Sequence, residues 1–219
     1  MKKSGQQLTF DLRSAKPFGR RYFIPHSGVA EAVYAVEEAL SLVQQDPAAS
    51  HLIYVYGPQG VGKTHLLKSC EEAAHELGLP ADKAVFIDFG AEISDDDAPH
   101  FNEVYERTRT EGGVLVSAGR QSPTNESITP HVRSRLLAGS LFELRHPAEK
   151  EFRPIIKSLL ERRNIQLSDF SIDYLLRRLP RKPLSFDALF ARIAELCLSE
   201  ARPAGLGVIR EVFNESPQK

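Results

Sequence analysis

Eight consecutive residues, Gly57-Pro-Gln-Gly-Val-Gly-Lys-Thr64, constrain this chain more than any other stretch. They fit the pattern G-x-x-x-x-G-K-S/T, and their neighbours stand in the order that pattern needs. Before them runs an apolar segment rich in β-formers, Leu52-Ile-Tyr-Val-Tyr56, and after them a helical pattern, His65-Leu-Leu-Lys-Ser-Cys70. A strand, a glycine-rich turn and a helix start in this sequence make a P-loop. Its glycines let successive backbone N–H groups close round a phosphate chain. Lys63 brings a point charge to the β- and γ-phosphates, the Thr64 hydroxyl holds Mg²⁺, and the helix adds its positive end. The expected cofactor-binding residues are thus Gly57, Pro58, Gln59, Gly60, Val61, Gly62, Lys63, Thr64 and His65, with ADP or ATP and Mg²⁺ as ligands.

The chain's net charge of −1 carries no general field for nucleic acid, so DNA binding would need a local patch, and no direct sequence-specific DNA binding is expected. Cys70 and Cys197 sit in helical patterns without a C-x-x-C or a histidine cluster and read as core or half-buried thiols in a reducing compartment. No 18-residue apolar run occurs, and Met1–Gln7 lacks the apolar segment of a signal peptide. A cytoplasmic protein without a membrane segment is the expectation.

Residues 1–16 are polar, basic and aperiodic, apart from the island Gln7-Leu-Thr-Phe-Asp-Leu12. A glutamine followed by spaced aliphatic and aromatic residues suits an apolar pocket on a partner; contact with its own domain, or with nothing, is the competing reading. Residues 17–27 read as an aromatic loop suited to packing beside a base. Ser27 is the expected N-cap of a helix over 28–45, whose Val29, Ala32, Val33, Val36, Leu40 and Val43 recur at helical spacing. After the P-loop helix, closed by Gly78 and Pro80, comes the strand pattern Ala84-Val-Phe-Ile-Asp-Phe89. Asp88, near its end, is where such folds hold the carboxylate that orients Mg²⁺ and water. Asp95-Asp-Asp97 reads as an exposed helix start, with a metal cluster as the less favoured alternative.

Gly113–Gly119 is a further buried strand, 131–137 a short helix and Ser140–Leu144 a last strand, with Pro147 opening a helix to about residue 164. Beyond it only helices fit, at 168–178, 184–200 and 206–214. Basic residues in 151–182 read mostly as a solvated face, and Phe186, Leu189, Phe190, Ile193 and Cys197 form one packing stripe. The fold class is α/β: a three-layer parallel P-loop sheet over 17–147, with a helical lid over 148–219.

At this point the sequence resembles a known family. Gly-Val-Gly-Lys-Thr-His-Leu-Leu (60–67) is similar to the P-loop and first helix of the DnaA-type initiators among the AAA+ ATPases, Arg133-Ser-Arg-Leu136 to their box VII, and Phe23-Ile24 to their adenine-side segment. No helix-turn-helix pattern follows the lid, and Gln7–Leu12 resembles the sliding-clamp-binding peptide of the Hda type, small DnaA paralogues that inactivate DnaA by stimulating its ATP hydrolysis on the clamp.

The resemblance implies a nucleotide-bound regulator of replication initiation with a DnaA-type initiator and the sliding clamp as partners, and a homo-oligomer as a further possibility. Arg135 would be an arginine finger acting on another molecule's nucleotide, Ser117 the sensor 1 residue, and Gln7, Leu8, Phe10 and Leu12 the clamp contacts. Two departures stand out. Only one strand, 84–89, precedes the sensor 1 strand where the family has two; the Walker B reading is favoured over the second-strand reading. The second Walker B acid would then fall at Phe89, and the sensor 2 arginine at Leu184, leaving Arg181 to substitute. Weak or absent intrinsic hydrolysis follows. The alternatives are an active AAA+ ATPase of helicase-loader type and a P-loop scaffold without catalysis.

Overall fold

The computed structural model describes residues 19–94, 96–125, 127–178 and 183–215, with backbone alone at 183–185 and 215. Gln7, Leu8, Phe10, Leu12 and Arg181 lie outside the described residues. Four strands, β1 (Ser50–Tyr56), β2 (Ala84–Asp88), β3 (Gly113–Gly119) and β4 (Ser140–Glu143), pair in parallel in the order β2-β3-β1-β4.

β3 is buried at every position, as a strand covered on both faces must be. Its alternation sends Val114, Val116 and Ala118 to a core shared with helices α1 (Ala30–Gln45) and α2 (Lys63–Glu76). Leu115 points the other way, to a core shared with α3 (Asp97–Glu111) and α4 (Pro130–Leu137). This is the expected three-layer α/β sheet. All six residues of the α1 stripe are buried.

The lid begins with a 3₁₀ turn at Glu149–Glu151, then α5 (Phe152–Arg162), α6 (Asp169–Arg178), α7 (Pro183–Ser199) and α8 (Leu206–Glu215). Phe152, Ile156, Phe186, Phe190 and Ile209 close its own core. No described helix is long and apolar enough to cross a membrane.

Local expectations gave way at three places. Ser27 does not cap α1: its N–H and hydroxyl both donate to Glu151, each at 2.8 Å, while the first α1 turn closes on the His26 carbonyl. The carboxylate is the stronger acceptor, and it ties the loop to the lid. No helix starts at Pro147, because Glu151 is engaged by the Ala148 N–H and by Ser27, which holds the chain in a 3₁₀ turn until Phe152. The basic residues of 151–182 are a free face only in part: of the six described, Lys157, Arg177 and Arg178 are exposed, yet four of the six are ion-paired. Arg153 pairs with Asp169 and Asp173, Lys157 with Asp169, and Arg162 and Arg163 with Asp187. Helix packing set by the apolar stripes brings these partners together, which sequence spacing alone does not reveal.

Candidate functional site

The P-loop closes between β1 and α2. Gly57 takes φ 157°, and a Cβ there would stand 2.5 Å from the Leu144 carbonyl oxygen, so a side chain would push β4 away from β1. Gly62 takes φ 105° and is the N-cap of α2, the left-handed turn that aims the first helical N–H groups outward. Val61, fully buried, anchors the loop to the α1/α2 core. The Lys63 ammonium donates to the carbonyls of Gly57 at 2.7 Å and Pro58 at 2.9 Å. Burial holds it below its usual value; Asp88 opposes this and Arg120 adds to it.

Thr64 Oγ1 donates to Asp88 Oδ2 at 2.6 Å, and Asp88 Oδ1 accepts the Gly90 N–H at 3.0 Å. Thus α2 and β2, distant in sequence, present a hydroxyl and a carboxylate side by side. Mg²⁺ takes oxygen donors and is commonly held by one or two carboxylates plus phosphate oxygens, so this pair fits it. The next residue, Phe89, is turned inward: it is 6% exposed and meets the Phe101 ring edge-on at 5.5 Å. Asp97, at the helix start expected from 95–97, accepts from the N–H and hydroxyl of Ser94. No group of three or more metal-ligating side chains occurs among the described residues.

Phe23 and Ile24 are half-buried, and Phe23 meets the His65 ring edge-on at 5.1 Å. The segment holding them begins with a 3₁₀ turn, Arg20–Tyr22, fastened to α1 and α2 by Arg20 (to Glu37 and Glu72) and to α5 by Ser158, which donates to the Tyr22 carbonyl. The segment from Arg20 to Ile24, the P-loop helix and the lid therefore meet at one seam. His26 sits beneath it, 7% exposed, accepting the Gly28 N–H at Nδ1 and bonded to the Val61 backbone.

Burial lowers the pKa of His26, against the opposing charge of Glu151, and burial likewise lowers that of His65, against its bond to Gly19. Between the folded value and the unfolded value of about 6.5, the unfolded chain binds more protons. This stability is complete above about pH 6.5 and lost as pH falls from there toward the folded value. Melting temperature should decline from pH 7.5 to pH 5.5, with a shallower slope in the His26→Gln/His65→Gln variant. Parallel slopes in the two proteins would contradict this account.

Two expectations about β3 and α4 need correction or detail. Ser117, the residue the resemblance makes sensor 1, stands two residues before the end of β3. It is 2% exposed, opposite Tyr54 and Ile87, with only a long contact to the Ile53 carbonyl. Strand alternation turns it toward the α3/α4 face, beside Leu52, Tyr54 and Arg135. At the carboxyl end stand Gly119 and Arg120, and the Arg120 guanidinium donates to the Gln59 side chain in the P-loop at 3.0 Å. Arg120 is the functional candidate that sequence reading missed. Its signal was its place directly after a buried central strand, where ligands of such sheets bind.

Arg135, on the last turn of α4, is tied within its own chain. It donates to Glu106 at 3.0 Å and to the His131 carbonyl at 3.2 Å, and lies 5.3 Å over the Tyr105 ring. It borders Leu52–Tyr54, three to five residues short of Gly57, which is roughly 10–17 Å of strand. It is not gathered at its own P-loop.

No protein-family model matches the chain. Its curated relatives are chromosomal replication initiator proteins DnaA of Campylobacter jejuni: one is 25% identical over 156 residues, covering 56% of this chain and 36% of the relative. Another is 24% identical over 177 residues, covering 65% and 40%. The chain thus spans well under half the length of the relatives it matches. Among solved structures, domain III of the Thermotoga maritima replication initiation protein DnaA superposes with a TM-score of 0.72, over 91% of this chain and 97% of that one, at 14% identity. The chain has the fold of that domain. The same fold also matches AMPPCP-bound DnaA from Aquifex aeolicus (TM-score 0.63, 19% identity, 85% of this chain and 66% of that one) and the Thermotoga maritima RuvB Holliday junction branch migration motor (0.59, 20%, 84% and 68%).

Proposed function

We propose that this chain is a nucleotide-bound AAA+ regulator of replication initiation of the Hda type. With the sliding clamp, it promotes hydrolysis of ATP held by a DnaA-type initiator, and Arg135 is the finger that acts in trans. Phe89 is the observation that carries the proposal. A complete P-loop and a Thr64–Asp88 pair are followed, where the initiators' second acid would stand, by a buried aromatic ring. Nucleotide and Mg²⁺ have ligands here, while the group best suited to activate water is absent from that position.

The Walker B assignment of 84–89 is supported by direct pairing of β2 with β3 and by the reach of Asp88 to Thr64. The distance of Arg135 along β1 from its own P-loop suits an arginine that serves another molecule's site. Transition-state charge on a transferred phosphoryl group is stabilised well by such a guanidinium.

The test compares ATP hydrolysis by a DnaA-type initiator alone, with clamp, and with clamp plus this chain. Stimulation only in the last mixture, with little turnover by the chain itself, is the expected result. Brisk turnover by the purified chain would instead favour an active ATPase of helicase-loader type. The intact Thr64–Asp88 pair is the feature that keeps this second reading open, and Asp88→Asn would then abolish the turnover. For the clamp-facing peptide, immobilised clamp should retain wild type and lose Gln7→Ala/Leu8→Ala. Equal retention would remove the clamp from the proposal.

A further inference from the structure

β4 closes the sheet on one side, and among the described residues no strand pairs beyond it. The Leu144 N–H turns inward to the Tyr56 carbonyl, while the Arg145 N–H turns outward to the Gly28 carbonyl. By that alternation the backbone groups of Leu141 and Glu143 also face outward, below the point where Gly28 covers the edge. Exposed apolar side chains flank this open stretch: Leu141 itself, Leu137 on α4 and Leu42 on α1. A groove of about 420 Å³ runs between α1 and the start of β4, lined by Ala35, Glu38, Ala39, Leu42 and Ser140. An unpaired strand edge is a template for another extended segment.

The chain itself holds a segment that matches. Gln7-Leu-Thr-Phe-Asp-Leu12 alternates polar and apolar at every step, the period of a half-buried strand. Its charge is complementary as well. Residues 1–18 carry Lys2, Lys3, Arg13 and Lys16 against Asp11, whereas α1 carries Glu31, Glu37 and Glu38 and no basic residue. Arg20 takes Glu37, while Glu31 and Glu38 stand exposed, with Glu38 at the groove. Reach is sufficient. The Gly19 carbonyl lies 3.4 Å from His65 Nε2, and residues 19–28 cover the way from there to Arg145 with a 3₁₀ turn on the path. The seven residues from Leu12 to Gly19, when extended, span up to about 25 Å.

We propose that the segment 7–12 docks on the open edge of β4 as an added strand, with Leu8, Phe10 and Leu12 turned into the groove beside α1, and that this docking competes with the clamp for the same side chains. The clamp half rests on the proposed function. The docked segment lies beside α4, where Leu137 follows Arg135 by two residues, and so crowds the face that carries the finger. Clamp binding strips the segment from that face and opens the approach to Arg135 in the same event.

Hydrogen exchange in the full chain reads the docking without any partner. With the segment docked in about nine chains of ten, the Leu141 and Glu143 amides exchange about tenfold more slowly than in Leu8→Ala/Phe10→Ala/Leu12→Ala, and the apparent Kd for the clamp is raised about tenfold. Leu42→Lys, on the groove side, should speed that exchange and bind immobilised clamp several-fold more tightly than wild type, its own segment 7–12 being intact. Equal exchange at β4 in wild type and the triple variant would overturn the proposal. Slow exchange that depends on protein concentration instead of on residues 7–12 would also overturn it, by placing a second copy on that edge. Equal clamp affinity in Leu42→Lys and wild type would overturn the competition. Clamp binding by neither protein, with the exchange difference intact, would overturn the clamp reading and support the docking.

Discussion

Arg135→Ala is expected to reduce the stimulation of initiator-bound ATP hydrolysis by about 10³-fold or more, the range seen when a finger supplied in trans is lost. The chain's own melting temperature and nucleotide binding should barely change, because Arg135 does not touch the P-loop. The resting contacts of Arg135 allow it to move. Its partner Glu106 is shared with Arg109, whose hydrogen bond is the first cause holding that carboxyl below its usual range, with Arg135 a later one. The pair is half-buried on the arginine side, but its carboxylate is shared, so a docked initiator with phosphate to offer can draw the guanidinium off Glu106 and Tyr105. Arg135→Lys should not rescue, since an ammonium lacks the planar fork. Full stimulation by Arg135→Ala would assign the side chain to its α3 contacts alone.

Lys63→Ala should abolish most of the stabilisation by nucleotide. With ligand at about a hundred times its Kd, wild type gains about 2.7 kcal/mol, or roughly 5–11 °C in Tm for a chain of this size. If the variant binds a hundredfold more weakly, the same concentration gives it about 0.4 kcal/mol, a shift of roughly 1–2 °C. Without ligand the two proteins should melt together within a few degrees, because Lys63 contributes only two hydrogen bonds to carbonyls of its own loop. Differential scanning fluorimetry with ADP, ATP and Mg²⁺ reads the result. Equal ligand shifts in the two proteins would remove Lys63 from the site.

Buried strands and amphipathic helices were legible because their signals are local. The β3 run Gly113–Gly119 and the α1 stripe needed no knowledge of the partner element to be read. Gly78 and Asp97 likewise announced helix ends through backbone preference and dipole. The errors fall where one residue's best partner is far away. Ser27 has the composition of an N-cap, yet Glu151, 124 residues later, outbids the helix for its hydrogen bonds. Ser117 ends in a polar side chain near a strand terminus, yet a two-residue offset along β3 buries it on the α3/α4 face.

By itself, then, the sequence determined the P-loop, the alternation of strands and helices, the aromatic at Phe89 and the character of the lid, since each depends on spacing within a dozen residues. Tertiary structure decided the rest. It set β2 directly beside β3, joined Asp88 to Thr64, tied Arg135 to Glu106, and carried Arg120 to Gln59 across 61 positions. Such contacts follow from strand order and register, which are settled by packing whole faces against each other, and no local pattern in the chain encodes them.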